Sequence, residues 1–262
     1  MTRTPDAADV RRVPSGQWPT AERAWFPARW FCVVCVIVFA LVTADVLAGG
    51  VLRQFDDQLA GWIRQIGLRD TSVGNTIGYL LSQTGGRATN LVWILVICVV
   101  VAVRTRNFVP FARLALGVAL LSAAIYPSKF LIARTFPMDP RGDLLHAVGN
   151  SDSYPSGHQA NAILLSSIGA WIAVDFIATA WVRRIVCVYA IVGPIIAAFA
   201  VLLMNYHWLS DVIAGASVGI VLLWITRWAG QTKAGAHIEA WFATGLAAMV
   251  AGWFGRQPVD GR

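Results

Sequence analysis

Six apolar segments, each long enough to cross a hydrocarbon layer at about 1.5 Å per residue, constrain what this chain can become more than any other feature. They run roughly over 30–52, 88–103, 108–131, 159–181, 185–205 and 209–228. In lipid such a segment has to satisfy its own backbone, which a helix does. The second is short and borrows flanking residues. A seventh candidate, 238–254, is shorter still, with Trp241 and Phe242 near its start and Trp253 and Phe254 at its end, as in an interfacial aromatic belt. The expected fold class is all-α: a polytopic membrane helical bundle of six core transmembrane helices, with the seventh left open.

Composition agrees. Of 262 residues, 57% are hydrophobic and only 13% charged, about half the charge fraction of a soluble domain. The net charge of +7 does not imply nucleic acid, because the arginines are scattered between apolar runs rather than gathered on one stripe. They serve as topology signals. Cys32 and Cys35 form a C-x-x-C inside an apolar run, and Cys98 and Cys187 are likewise apolar in context. A zinc or redox site needs polar surroundings and further ligands, so these cysteines are structural.

Residues 1–29 are polar, rich in Pro, Asp and Arg, and without periodicity, which predicts a disordered cytoplasmic tail. The Arg11-Arg12 pair lacks the short apolar core of an export signal, so the first span is expected to stay as an anchor. After the tail come a transmembrane domain over 30–228 and a C-terminal extension over 229–262. Between the first two spans, Phe55, Leu59, Trp62, Ile63 and Ile66 share one helical face, with Asp56, Asp57 and Arg64 off it. That pattern suits a helix lying in the membrane interface or one packed over the bundle. Basic residues, Arg11, Arg12, Arg104, Arg106, Arg183 and Arg184 among them, are more numerous on the side of the amino terminus. The positive-inside rule therefore puts the amino terminus in the cytoplasm and the loops after the first, third and fifth spans outside.

Three polar elements emerge on that outer side. Ser153-Tyr154-Pro155-Ser156-Gly157-His158 leads straight into the fourth span. A Ser-Gly-His at a helix start offers free backbone N–H groups, a hydroxyl and an imidazole, with the helix dipole favouring an anion; alone, it is equally a cap and turn. His207 and Asp211 bracket the start of the sixth span, four residues apart and so on one helical face. A carboxylate so placed holds the imidazole in one tautomer and stabilises its charged form, although a purely structural His–Asp pair has the same spacing. Lys129 and Arg134 end the third span, where basic residues commonly act as snorkelling anchors. Together, cations, an anion-binding helix start and two histidines suit phosphoryl transfer.

With these motifs the chain resembles the type 2 phosphatidic acid phosphatase superfamily of membrane lipid phosphatases, whose signature reads K-x6-R-P, P-S-G-H and S-R-x5-H-x3-D. The resemblance covers about residues 55–228. Pro155, Ser156, Gly157 and His158 match the second part completely, and His207 and Asp211 the end of the third. Lys129 and Pro137 fit the first part, but Phe136 stands where its arginine belongs, and Ala200-Val201 replace Ser-Arg. Two guanidinium forks that would grip phosphate bidentately are thus missing, each worth about 1.5–3 kcal/mol.

The resemblance implies that His207 attacks phosphorus to form a phosphohistidine while Asp211 orients and charges it. His158 then protonates the leaving group and later activates water. Lys129, Arg134, Ser156 and the backbone N–H of Gly157 cradle the phosphate, with Arg141 a stand-in for a missing arginine. No metal or other cofactor is needed. The partner is a membrane lipid in the bilayer, not nucleic acid; phosphatidic acid, phosphatidylglycerol phosphate and a polyprenyl diphosphate all fit. The expected location is a bacterial plasma membrane with the site on the extracytoplasmic side. The missing arginines leave open a degenerate member that binds a lipid headgroup without turnover, or a lipid phosphotransferase.

Overall fold

The computed structural model describes residues 27–149 and 151–245. Among them every regular element is helical. Helix α1 (Arg29–Ala48) is followed by α2 (Val51–Ile66), the short α3 (Ser72–Ser82), α4 (Arg87–Thr105), α5 (Val109–Ile132), α6 (Gly157–Phe176), α7 (Ala180–Leu203), α8 (Leu209–Gln231) and α9 (Lys233–Ala240). Six of these, α1 and α4 to α8, are long and apolar enough to cross a membrane. The disordered tail expected over 1–29 falls almost wholly outside the described residues. So does most of the candidate seventh span, of which α9 and the π turn Trp241–Gly245 show the beginning.

The helix ends differ from the hydropathy boundaries for local reasons. The first span stops at Ala48 rather than 52, because the chain reverses at Gly49-Gly50. Asp45 then accepts hydrogen bonds from the backbone N–H of Leu52 and Arg53 (3.3 and 2.9 Å), satisfying orphan donors at the start of α2. The fourth span ends at Phe176 and the fifth opens at Ala180, so the expected boundaries of 181 and 185 both move about five residues earlier in the chain. Arg183 donates to the carbonyls of Ile177 and Ala178 (3.0 and 3.3 Å), taking up groups that the break leaves free.

Helix α6 is the axis of the bundle, and most of its side chains are buried. Ile94 and Cys98 of α4, Leu121 and Ile125 of α5, and Leu222 and Leu223 of α8 pack against its Leu164, Leu165, Ile168 and Ile172. Helix α1 packs on α8. Apolar side chains on the outer surfaces of α1, α4 and α7 remain exposed, as a lipid-facing surface requires.

Helix α2 reconciles the two placements open for it. Phe55, Trp62 and Ile66 point outward, while Asp56, Ala60 and Ile63 are buried against the bundle. Asp57 and Arg64 stay exposed, so Asp56 alone of these three polar residues turns under the outer loops. At the opposite end, Arg113 of α5 pairs with Asp175 of α6 (2.5 Å) and Glu239 of α9 (2.9 Å) and lies 3.9 Å over the Trp171 ring. The visible part of the C-terminal extension is thereby docked.

Candidate active site

The site assembles where α5 and α7 end and α6 and α8 begin. The reversal between α7 and α8 is short, whereas a long loop over 133–156 joins α5 to α6. Between α7 and α8, the carbonyl of Val201 accepts from the N–H groups of Tyr206 (2.8 Å) and His207 (3.3 Å), and Asn205 takes a left-handed conformation (φ 50°). This tight turn aims His207 inward, where it is 4% exposed. Its Nδ1 lies 3.3 Å from Oδ2 of Asp211, one turn on along α8. The same carboxylate oxygen accepts from the N–H of Trp208 (3.1 Å), capping α8 in its first turn, where a negative charge is favoured.

Asp211 is where the three sequence elements meet. Its backbone carbonyl accepts from the N–H of Ser156 (3.0 Å), fastening the Pro-Ser-Gly-His loop to α8. Its Oδ1 accepts from Nη1 of Arg134 (3.0 Å). Ser156 caps α6 through a bond from the N–H of Gln159 (3.3 Å). The His158 ring then stands with its centroid 5.7 Å from that of His207. Gly157 lies beside Lys129: a Cβ built on it would be 3.8 Å from Cε of the lysine. The ammonium of Lys129 bonds the carbonyl of Asp152 and lies 3.6 Å from its carboxylate. Lys129, His158, His207, Asp211 and the start of α6 thus form one cluster.

Arg134 does something other than expected. Its side chain is completely buried, and all five donors are engaged. Nε and Nη2 bond Asp143 (2.8 and 2.7 Å), Nη2 also bonds Asp56 (2.8 Å), and Nη1 bonds Ser210 (2.6 Å) as well as Asp211. A guanidinium has no sixth N–H. Where the sequence suggested a phosphate ligand, the donors of Arg134 are taken up by the carboxylates behind His207 and by Ser210. These acceptors raise its pKa against the opposing effect of burial. Arg141, the expected stand-in for a missing arginine, is bound to Asp139 (2.7 Å) and to the carbonyls of Val148 and Gly149 (2.9 and 3.0 Å). It closes its own loop instead.

Asp56, Asp143 and Ser210 were not singled out by sequence. Asp56 is 1% exposed and accepts from the N–H (3.0 Å) and the hydroxyl of Ser210 as well as from Arg134. Burial pushes its carboxyl up, and Arg134 and Ser210 pull it back. The available signal was an acidic residue on the edge of an amphipathic helix, and nothing in its spacing named a partner. Asp143 also takes Arg53 (2.8 Å). Asp56, Asp143 and Asp211 thus gather around Arg134, and Asp143 is shared with Arg53.

The departures from the motif have definite places. Phe136 rests against His207, with ring centroids 5.9 Å apart. Val201 is fully buried, and Ala200 nearly so. Beside them an apolar cavity of about 460 Å³ opens between α3 and α7, walled by Ile77, Leu81, Phe199, Ala200 and Leu203 and ending at Met204.

Residues 110–234 match the family model of the PAP2 superfamily. The fold is similar to the crystal structure of a transmembrane PAP2-type phosphatidylglycerolphosphate phosphatase from Bacillus subtilis. The match has a TM-score of 0.59 and 17% sequence identity and covers 74% of this chain and 94% of that one. Among curated proteins none matches the sequence significantly.

Proposed function

We propose that this chain, a member of the PAP2 superfamily through residues 110–234, is an integral membrane phosphatase that removes a phosphate group from a lipid through a phosphohistidine on His207. The observation that carries the reading is the imidazole of His207, held from behind by Asp211 and facing His158, whose helix start lies beside Lys129. A carboxylate can only accept, so the ring proton sits on Nδ1 and the lone pair on Nε2 is free to attack. As the N–P bond forms and the P–O bond to the leaving group breaks, the ring becomes cationic. The carboxylate of Asp211 behind it offsets that cation, a partner in place before the reaction begins.

His158 stands where it can protonate the departing oxygen and, in the second step, take a proton from the water that attacks phosphorus and frees His207. Lys129 and the first N–H groups of α6 receive the phosphate oxygens, whose charge the helix start favours. Arg134 holds Asp211 rather than the substrate. A lipid suits the apolar cavity beside the α7–α8 turn, and the outward loops suit an extracytoplasmic headgroup.

The test is phosphate release by the purified protein in detergent from phosphatidic acid, phosphatidylglycerol phosphate and a polyprenyl diphosphate. His207→Ala is expected to abolish release while inserting and purifying as the parent does. Turnover near the parent rate in that variant would remove His207 as nucleophile. The apolar contact of Phe136 with His207 favours one second reading, headgroup binding without turnover. Binding of these lipids with no phosphate released from any would establish it.

A further inference from the structure

We propose that Arg87 is a substrate-binding guanidinium of this site, placed on the leaving-group side, and that it selects a lipid diphosphate over a lipid monophosphate. The inference rests on the phosphohistidine reading of His207.

Arg87 is the first residue of α4, and its position is set by the turn before it. Gly85 packs on the backbone of His158 so closely that a Cβ there would lie 2.6 Å from the His158 carbonyl oxygen. From this anchored start Arg87 turns into the groove between α5 and α6. Its Nε approaches Oδ1 of Asn161 (3.4 Å), and its Nη1 approaches the Tyr126 hydroxyl (3.1 Å) and the Ser122 hydroxyl (3.4 Å). Asn161 is three residues beyond His158 on α6, and Tyr126 three before Lys129 on α5, so each shares a helical face with a member of the site. The guanidinium therefore lies beside the His158–Lys129 edge, about one helical turn towards the membrane interior.

Its charge is uncompensated. Arg53, Arg113, Arg134 and Arg141 each have a carboxylate partner. The acceptors of Arg87 are neutral, those on Asn161 and Ser122 are long, its guanidinium lies 5.2 Å over the Tyr126 ring, and no ion pair joins it to a carboxylate among the described residues. Lys129 follows one helical turn after Tyr126, which Arg87 contacts. An arginine acting only as an interfacial anchor extends its fork into water, whereas this one turns inward beside another cation. Two cations flanking a histidine at the edge of a bilayer are costly unless an anion joins them.

The position decides which anion. The transferred phosphoryl group is held at the level of His158 by Lys129 and the start of α6, so the next turn inward belongs to what leaves. In a diphosphate, attack by His207 on the terminal phosphorus breaks the bridging P–O bond. The electron pair goes to a lipid monophosphate, which takes one proton from His158 and still carries negative charge. A guanidinium fork matches that charge bidentately. In a monophosphate ester the leaving oxygen becomes a neutral alcohol on protonation, and Arg87 has no anion to hold.

The experiment compares farnesyl diphosphate with farnesyl monophosphate, which share one hydrocarbon chain, on the full-length protein and on Arg87→Gln and Arg87→Lys. Arg87→Gln is expected to lower kcat/KM for the diphosphate by about ten- to a hundredfold, the range for a lost charge-assisted contact. The monophosphate should change by less than about threefold, and Arg87→Lys should recover part of the loss. The ratio of the two substrates on one preparation cancels any difference in folded fraction. Equal losses on both substrates, or no loss on either, would overturn the role of Arg87 and leave the phosphatase reading standing. A parent protein that hydrolyses neither probe nor any other lipid phosphate would overturn both.

Discussion

Arg134 shows how a side chain's meaning changes with its partners. A cation at the end of an apolar helix suggests an anchor or a phosphate ligand, but five engaged donors make this one the centre of a buried ionic network. Burying such a network is costly, and breaking one pair within it typically costs about 3–5 kcal/mol because a charge is left unpaired. Within it Arg134 bonds Asp211, the residue whose other carboxylate oxygen lies against the ring of His207. The same scale decides what Val201 means. Its side chain has no exposure, and its carbonyl anchors the turn that presents His207. Val201→Arg would force a guanidinium into a filled space without an added anion, with overpacking alone costing about 1–3 kcal/mol. The variant is expected to release less phosphate than the parent and to melt at a lower temperature in detergent. A clear rise in activity on phosphatidic acid or a polyprenyl diphosphate would show instead that the parent merely lacks a phosphate ligand.

At the scale of elements, the site depends on how closely helix α8 approaches the loop before α6. A Cβ on Gly215 would lie 2.3 Å from the Ser156 carbonyl oxygen, a backbone atom that cannot swing aside. Gly215→Ala should therefore push the start of α6 away from α8 and lengthen the Ser156 N–H to Asp211 bond. All the proposed reacting groups would remain in the chain. The expected result is at least a tenfold fall in phosphate release, since misplacement by about 1 Å can cost a hundredfold. Circular dichroism should still report a helical protein. Parent-like activity would mean that this contact does not set the geometry. Helix α2 is the other element whose role is positional: its exposed apolar residues fit an interface, while Asp56 reaches the base of the site.

For the whole molecule, the arrangement has two polar ends separated by an apolar middle. One holds Lys129, the histidines and the Arg134 network; the other holds Arg113 with Asp175 and Glu239. We propose that the second end faces the cytoplasm, because the sequence carries more basic residues on that side of the spans. Cysteines introduced singly at Ser151 and at Arg106 should then react from opposite faces. A membrane-impermeant maleimide is expected to label position 151 in intact cells and position 106 only after permeabilisation. The reverse pattern would put the site on the cytoplasmic leaflet.

The sequence by itself determined the features that arise from repetition along one chain. Apolar length set the six helices, and spacing by three or four residues put His207 beside Asp211 and set His158 at a helix start. These are local consequences of a 3.6-residue period and of hydrocarbon thickness. The helix ends were less legible, because Asp45 and Arg183 set them through side-chain bonds that hydropathy does not register. Only the tertiary structure decided which charges face one another. Asp56 lies 78 residues from Arg134 and 154 from Ser210, and Arg87 lies 74 from Asn161. Electrostatic energy depends on distance and dielectric in three dimensions, neither of which is written in sequence separation. The packing of α2, α5 and α8 gave Arg134 its carboxylate partners, and the packing of α4 against α6 brought Arg87 to Asn161.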